Sequence, residues 1–159
     1  MALRIGQGYD IHAKKDGRVL TLGGIVFEGE RGLDGHSDAD VLLHAIGDAL
    51  LGAVALGDIG QHFPPDDPKW KDASSLRLLG MIRALLDGHG AKIVNVDATV
   101  IAELPKIQKR RDEMRLAIAQ ALRVGARQVS VKATTHEHLG AVGRDEGIAA
   151  FAIAMVDIT

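Results

Sequence analysis

The sequence predicts an α+β protein in which a mixed β-sheet carries its helices on one face. The expected elements run as short strands, two helices, a strand, a helix and two strands, an order typical of that class. The 159 residues, 47% of them hydrophobic, suffice for one core, so we expect a single domain over 1–159. The last strand is apolar on both faces, which predicts a second cover that another subunit could supply.

The amino-terminal half begins with a strand over 3–12. Two short strands at 19–22 and 25–27 flank a Gly-Gly pair, which indicates a hairpin. A helix is predicted over 38–56 because its apolar residues recur every three or four positions, and Ser37 is its expected cap.

The carboxy-terminal half follows a long loop at 57–72, which carries three of the four prolines; such loops are usually functional or mobile. The pattern then predicts a helix at 74–88, a strand at 92–101, a helix at 106–124 that begins after Pro105, a strand at 129–134, a polar connection at 135–146 and a strand at 147–158.

Composition excludes several classes of function. The chain has no cysteine, which excludes disulfide scaffolds, thiolate zinc fingers, iron–sulfur clusters and cysteine nucleophiles, and fits a cytoplasmic location. A net charge of −2 and only five aromatic residues argue against a nucleic-acid partner. No apolar run approaches the roughly 20 residues that cross a bilayer, so we expect no membrane segment.

Asp10 and His12 stand two positions apart on the first strand, so their side chains point to the same face. His44, on the first long helix, is a candidate third ligand. One carboxylate and two imidazoles would leave a zinc ion an open position, as in catalytic sites. The alternative is that Asp10 only orients His12 through a hydrogen bond.

His44 also lies one helical turn from Asp40 and one from Asp48. In the metal interpretation, one of these carboxylates would orient His44 from behind. In the alternative, the three residues form ordinary ion pairs along the helix.

Residues that suit anions occur at two points. His36 and Ser37 precede the first long helix, whose free N–H groups attract phosphate, although Ser37 could simply cap that helix. Thr134, Thr135 and Glu137 follow a strand, and two hydroxyls with a carboxylate suit phosphate and Mg²⁺. A hydroxyl-capped turn is the alternative there.

Two further charged residues are candidates. Asp58 follows the first long helix, where a negative charge opposes the helix dipole. It opens the proline-bearing loop, which could close over a small polar substrate or could simply be solvated. Arg144 lies in a glycine-bearing segment and offers a cation to an anion.

Eight short motifs follow one another along almost the whole chain. They are RIGQGYDIH at 4–12, HSDADVLLH at 36–44, DALLGA at 48–53, LGDIG at 56–60, NVD at 95–97, PK at 105–106, VKATT at 131–135 and GRDEG at 143–147. This ordered set resembles the 2-C-methyl-D-erythritol 2,4-cyclodiphosphate synthase family.

The resemblance implies a role for each candidate. Asp10, His12 and His44 would hold Zn²⁺, and Glu137 would bind Mg²⁺ or Mn²⁺ together with the substrate diphosphate. His36 and Thr135 would act at the reacting phosphates. The other implied substrate contacts are Ser37 and Thr134 to phosphates, Asp58 and Gly60 to the methylerythritol part, Phe63 and Asp67 in the same loop, Ala102, Pro105, Lys106 and Ile107 to cytidine, and Arg144 at the substrate or the trimer cavity.

The resemblance further implies a homotrimer whose sheets face one another around its axis, with active sites between subunits. The doubly apolar last strand agrees with this. Three positions depart from the family pattern. Pro65 replaces a frequent aspartate, so we expect no substrate contact there; His136 replaces a common threonine, and Ala141 replaces a bulky aromatic residue near the axis.

The implied reaction belongs to the non-mevalonate isoprenoid pathway. The 2-phosphate of 4-diphosphocytidyl-2-C-methyl-D-erythritol 2-phosphate attacks its own β-phosphorus, which closes a cyclic diphosphate and releases CMP. Positioning and charge neutralisation would carry this step. Two alternatives stay open: a zinc-dependent phosphohydrolase with water as nucleophile, and a non-catalytic trimer that binds cytidine nucleotides.

Overall fold

The computed structural model describes residues 1–158. Its strands are β1 (Ala2–Lys15), β2 (Leu20–Leu22), β3 (Ile25–Phe27), β4 (Gly32–Leu33), β5 (Ala91–Ile101), β6 (Val129–Thr134) and β7 (Gly147–Ile158). Its helices are α1 (Val41–Ala53), α2 (Ile59–His62), α3 (Ser75–Gly88), α4 (Arg111–Leu122) and α5 (Gly140–Gly143). Five strands form a mixed sheet in the order β4–β1–β7–β5–β6, in which only β5 and β6 are parallel, and β2 pairs with β3 in a hairpin.

The long helices cover one face of this sheet, which confirms the α+β prediction. Helix α1 lies over β1 and β7, α3 packs on α1 and β5, and α4 packs on β6 and α3. Gly6 and Gly8 let α1 approach β1 closely, because a Cβ at Gly8 would fall 1.9 Å from the carbonyl oxygen of Ala45. This close approach holds the first half of α1 against the middle of β1.

The opposite face of β1 and β7 is apolar and exposed. Tyr9 packs edge-on against Phe151 with ring centroids 5.0 Å apart. The exposed apolar side chains around this pair are Leu3, Ile5, Ile11 and Ile153. The last strand is therefore apolar on both faces, as predicted, but a single chain covers only its helix-facing side.

Helix α1 is shorter than the predicted 38–56. Ala39 has a left-handed backbone (φ 56°), which separates Ser37 from the helix. Asp40 is the actual N-cap, and its side chain accepts the N–H of Leu43 at 3.1 Å. The prediction of Ser37 as the cap is wrong. A second left-handed residue, Ala55 (φ 58°), follows the end of the helix.

The helix predicted at 106–124 begins later. Ile107 is buried seven positions before Met114, a spacing of two helical turns, so periodicity alone could not exclude it from the helix. In the structure a 3₁₀ turn at Gln108–Arg110 intervenes and α4 starts at Arg111. It ends at Leu122, where Arg123 turns left-handed (φ 53°).

The loop at 57–72 contains α2 and a 3₁₀ turn at Pro68–Trp70. Asp58 is the N-cap of α2 and accepts the N–H of Gln61 at 3.0 Å. The negative charge of Asp58 therefore lies at the N-terminus of α2, where the helix dipole favours it. The sequence interpretation, in which this charge opposes the dipole at the end of α1, is wrong. The polar connection at 135–146 likewise contains α5.

Within residues 1–158, no helix is long and apolar enough to cross a membrane.

Candidate functional site

Strand β1 and helix α1 bring three candidate ligands together. Asp10 Oδ2 lies 2.8 Å from His12 Nε2 and 3.2 Å from His44 Nδ1. One ligand atom from each residue lies within 4.8 Å of the other two. Asp10 thus contacts both imidazoles. The structure brings together the three residues that the sequence predicted as ligands of one metal ion.

The hydrogen bond behind His12 indicates how its ring is protonated. His12 Nδ1 lies 2.6 Å from the carbonyl oxygen of Asp34. Because a carbonyl only accepts, Nδ1 carries a hydrogen, and Nε2 is the nitrogen that would offer its lone pair to a metal ion lying beside Asp10. A carboxylate and imidazole nitrogens that point at one position are the donor set of a catalytic zinc site.

The residues behind His44 differ from the prediction. Its Nε2 atom lies 3.0 Å from Ser75 Oγ and 3.1 Å from Ser37 Oγ. Asp40 instead accepts the N–H groups of the Gly23–Gly24 turn, and Asp48 accepts the N–H of Ile59 at 2.8 Å. The prediction that Asp40 or Asp48 supports His44 is therefore wrong. No pattern in the sequence predicted the contact between His44 and Ser75, which lies at the start of α3.

Electrostatics keep the Asp10 carboxylate ionised. Burial raises the pKa of Asp10, but the hydrogen bonds and charges of His12 and His44 outweigh it and lower the pKa to about 2. For His12, burial lowers the pKa, but the hydrogen bond to Asp10 and the charge of Asp10 outweigh burial and raise the pKa above its usual value. Burial also raises the pKa of Asp48. An anion fixed beside two imidazoles favours a cation at this position.

These ligands open into a cavity of about 260 Å³. The predicted residues that line it are Asp10, His12, His36, Ser37, His44, Gly60 and Phe63. The other lining residues, which were not predicted there, are Asp48, Ile59, Pro65, Trp70 and Leu78. Pro65 forms an apolar part of the wall, and the expectation that it makes no substrate contact stays a prediction.

The proline-bearing loop contacts the site residue His36 through a backbone carbonyl group and not through its carboxylates. His36 Nε2 lies 3.1 Å from the carbonyl oxygen of Asp67, so that nitrogen carries a hydrogen and only a protonated ring has a second N–H for a phosphate. The Asp67 carboxylate caps the following turn through Lys69 N–H at 2.9 Å. Neither Asp58 nor Asp67 lines the cavity.

A second cavity of about 150 Å³ lies at the ends of β5 and β6. Its lining contains all of the residues predicted for cytidine and diphosphate, namely Ala102, Pro105, Lys106, Ile107, Thr134 and Thr135, together with Val100, Gln108 and Ala133. Thr135 Oγ1 accepts the N–H of Glu137 at 3.1 Å. The hydroxyl hydrogen of Thr135 therefore remains available to an anion.

The two cavities share no lining residue. In the sheet register, Ile11 aligns with Ala149, which aligns with Ile101 and then Thr134. Ile11 and Thr134 are therefore three strand spacings of about 4.8 Å apart, which is about 14 Å in total. One chain thus carries two separate cavities at the same end of its sheet.

Glu137 and Arg144 lie outside both cavities. Glu137 is exposed and has a left-handed backbone (φ 52°). Arg144 is exposed and pairs with Glu146 at 2.9 Å. Their predicted roles therefore depend on groups outside this chain, such as substrate oxygens or another subunit.

Comparison with known proteins identifies close relatives. A model of the YgbB family matches residues 3–157. The 2-C-methyl-D-erythritol 2,4-cyclodiphosphate synthase of Synechococcus elongatus is 54% identical over 153 residues, which cover 96% of each chain. The synthase of that name from Desulfatibacillum aliphaticivorans is 55% identical over 155 residues, covering 98% of this chain and all of its own.

Solved structures share the fold. An IspF–CDP complex from Plasmodium falciparum matches with a TM-score of 0.87 and 37% identity, over 99% of this chain and 97% of that chain. The bifunctional IspDF of Campylobacter jejuni matches with a TM-score of 0.95 and 37% identity. This chain is covered to 99% there but spans only 43% of the bifunctional chain.

Proposed function

Because the chain belongs to the YgbB family, we propose that it converts 4-diphosphocytidyl-2-C-methyl-D-erythritol 2-phosphate to 2-C-methyl-D-erythritol 2,4-cyclodiphosphate and CMP. The observation that carries this proposal is the convergence of Asp10, His12 and His44 on one point of a cavity. The reaction belongs to the non-mevalonate route to isoprenoids, and we place it in the cytoplasm, which the absence of cysteine fits.

The reaction is an intramolecular phosphoryl transfer. An oxygen of the 2-phosphate forms a bond to the β-phosphorus, and the bond from that phosphorus to the bridging oxygen breaks. The bridging oxygen leaves on CMP with the electron pair, so the enzyme acts as a phosphorus–oxygen lyase. The nucleophile is already an anion and needs no general base. The protein must mainly hold two anionic groups together, and a correct pose supplies much of the rate.

The residues around Asp10 fit a zinc ion. One carboxylate and two imidazoles supply three ligand atoms, and the cavity leaves room for a substrate oxygen as the fourth. Bound there, zinc would polarise a phosphate as a Lewis acid. Ser37 and His36 line the same cavity and would orient that phosphate.

The second cavity suits the nucleotide. Ala102, Pro105 and Ile107 form its apolar wall, and Lys106 adds a positive charge for a phosphate. The hydroxyls of Thr134 and Thr135 would donate to the diphosphate. Glu137, two residues further on, would hold Mg²⁺ or Mn²⁺ against the same diphosphate oxygens.

We further propose that the active enzyme is a homotrimer with each site between two subunits. The separation of the two cavities supports this, since a neighbouring chain could bring its second cavity beside the first. The exposed apolar face around Tyr9 and Phe151 would be covered in such an assembly. In it, Asp58, Gly60, Phe63 and Asp67 would close over the methylerythritol part, and Arg144 would face the substrate or the axis.

Phosphorus NMR of the products tests the proposed function. The protein is incubated with the cytidyl substrate and Mg²⁺, with and without a zinc chelator. We expect CMP and a pair of coupled cyclic-diphosphate resonances, both abolished by the chelator. A linear product would identify a phosphohydrolase, and nucleotide binding without turnover would identify a binding protein.

A further inference from the structure

We propose that Ser75, anchored by Asp38, is a positioning residue that fixes which ring nitrogen of His44 faces the metal. This inference deepens the proposed metal site and rests on it. Neither residue is one of the three ligands, and neither lines the two cavities described above. Ser75 is the first residue of α3, lies 31 positions after His44 and is buried.

Two hydrogen bonds to Asp38 define the orientation of Ser75. Its backbone N–H donates to Asp38 Oδ2 at 2.9 Å, and its hydroxyl donates to Asp38 Oδ1 at 2.5 Å. An ionised carboxylate only accepts hydrogen bonds, so the single hydroxyl hydrogen of Ser75 is directed at Asp38. Ser75 Oγ, 3.0 Å from His44 Nε2, is left as an acceptor.

This direction selects the tautomer of His44. Because Ser75 Oγ accepts, His44 Nε2 must carry a hydrogen. In the neutral imidazole that binds a metal, only one nitrogen carries a hydrogen, so Nδ1 is the nitrogen that would offer its lone pair to an ion lying beside Asp10. Nδ1 is the atom that lies 3.2 Å from Asp10 Oδ2. Ser75 and Asp38 therefore prepare His44 as an Nδ1 ligand, just as the Asp34 carbonyl prepares His12 as an Nε2 ligand.

The two serines beside His44 Nε2 have different functions. Ser37 Oγ also lies beside His44 Nε2, at 3.1 Å, and it accepts the N–H of Ala39 at 3.2 Å. Since Nε2 carries the hydrogen, Ser37 is an acceptor toward His44, and its own hydroxyl hydrogen is available to a phosphate in the cavity. Ser75 thus orients His44 for the metal, whereas Ser37 donates its hydroxyl hydrogen to the substrate phosphate.

Zinc affinity of the metal-stripped full chain, measured by competition with a chromophoric chelator, tests the inference. We expect Ser75→Ala to weaken zinc binding by about 10- to 100-fold, the usual effect of removing such a supporting hydrogen bond. Asp38→Asn should give a smaller loss, because its amide oxygen can still accept from Ser75. Ser74→Ala is the matched control, because this exposed neighbour makes no side-chain capping bond and should leave zinc affinity unchanged.

Ser37→Ala gives the complementary result. We expect zinc affinity close to that of the wild type with a raised KM for the substrate. Ser75→Ala should instead recover activity when excess zinc is supplied, with an unchanged KM.

CMP binding to the second cavity controls for folding, because Ser75 does not line it. The inference predicts weaker zinc binding by Ser75→Ala with unchanged CMP binding. Equal zinc affinity for Ser75→Ala and wild type would overturn it, as would a parallel loss of zinc and CMP binding, which would assign the effect to the docking of α3. A wild-type protein that binds no zinc would instead contradict the proposed metal site itself.

Discussion

The Oδ2 atom of Asp10 lies 3.2 Å from Nδ1 of His44, although 34 positions separate the two residues in the chain. Gly6 and Gly8 make this possible, because a Cβ at either position would fall 1.9 Å from a carbonyl oxygen of α1. Close contact between the backbones of β1 and α1 therefore sets the geometry of the candidate metal site.

Gly8→Ala should push α1 away from β1 and reduce stability and zinc affinity together. We expect a loss of about 1–3 kcal/mol or more in the free energy of unfolding, measured in urea, because the new Cβ overpacks a backbone contact. Gly52→Ala, in α1, is the control, since its Cβ would meet only the carbonyl oxygen of Gln7 at 3.9 Å. If both variants behaved alike, close backbone contact would not define the site.

Asp40 should make stability depend on pH in an unusual direction. Burial and the charge of Asp38 raise its pKa to about 6, although three backbone N–H groups oppose this. Protonation therefore favours the folded state: the stabilising contribution is full below the ordinary pKa of 3.8 and is lost as the pH rises through about 6.

The comparison with Asp40→Asn isolates this effect, because the other groups titrate in both proteins. The wild type should gain about 2 kcal/mol of unfolding free energy over the variant between pH 7 and pH 4. Urea unfolding across this range measures the difference. A constant offset between the two proteins would show that Asp40 does not titrate there.

Lys14 is a second buried charge whose removal should destabilise the fold. Its side chain is only 2% exposed, and its Nζ bonds to Asp145 and to the carbonyl oxygen of Leu104. Lys14→Met should cost about 2–3 kcal/mol, below the usual range for a fully buried pair, because Asp145 remains partly solvated. Lys15→Met, which removes an exposed lysine, should change the free energy of unfolding by less than about 1 kcal/mol. Similar losses in both would contradict this account.

Mixed assemblies of two variants test the proposal that two chains of a trimer build each site. His44→Ala damages the first cavity and Thr135→Val the second, and each variant alone should lose most of its activity. After the two variants are unfolded and refolded together in equal amounts, about one quarter of the shared sites should contain two intact halves. Activity should rise accordingly, with refolded wild type as the control. No recovery would place both halves of the site in one chain.

Local patterns were sufficient to predict much of this site. Alternation along β1 places Asp10 and His12 on one face, and helical periodicity places His44 on a helix. These features depend on neighbours in the sequence. The order of the elements also predicted helices on one face of the sheet, which the structure confirms.

Other features depend on contacts that no local pattern encodes. Ser75 reaches His44 only because α3 docks beside α1. The start of α1 is displaced by the left-handed Ala39, and Asp40 is fixed by the distant Gly23–Gly24 turn. The late start of α4 was not predicted, because Ile107 lies at a helical spacing from Met114 although it precedes the helix.

The oxygen source in the products tests the proposed chemistry most directly. Turnover is run in water enriched in heavy oxygen, and both products are analysed by mass spectrometry. If the 2-phosphate is the nucleophile, neither CMP nor the cyclic diphosphate takes up label from water. One labelled oxygen in CMP or in a linear bisphosphate would show that water attacks, and would contradict the cyclase assignment.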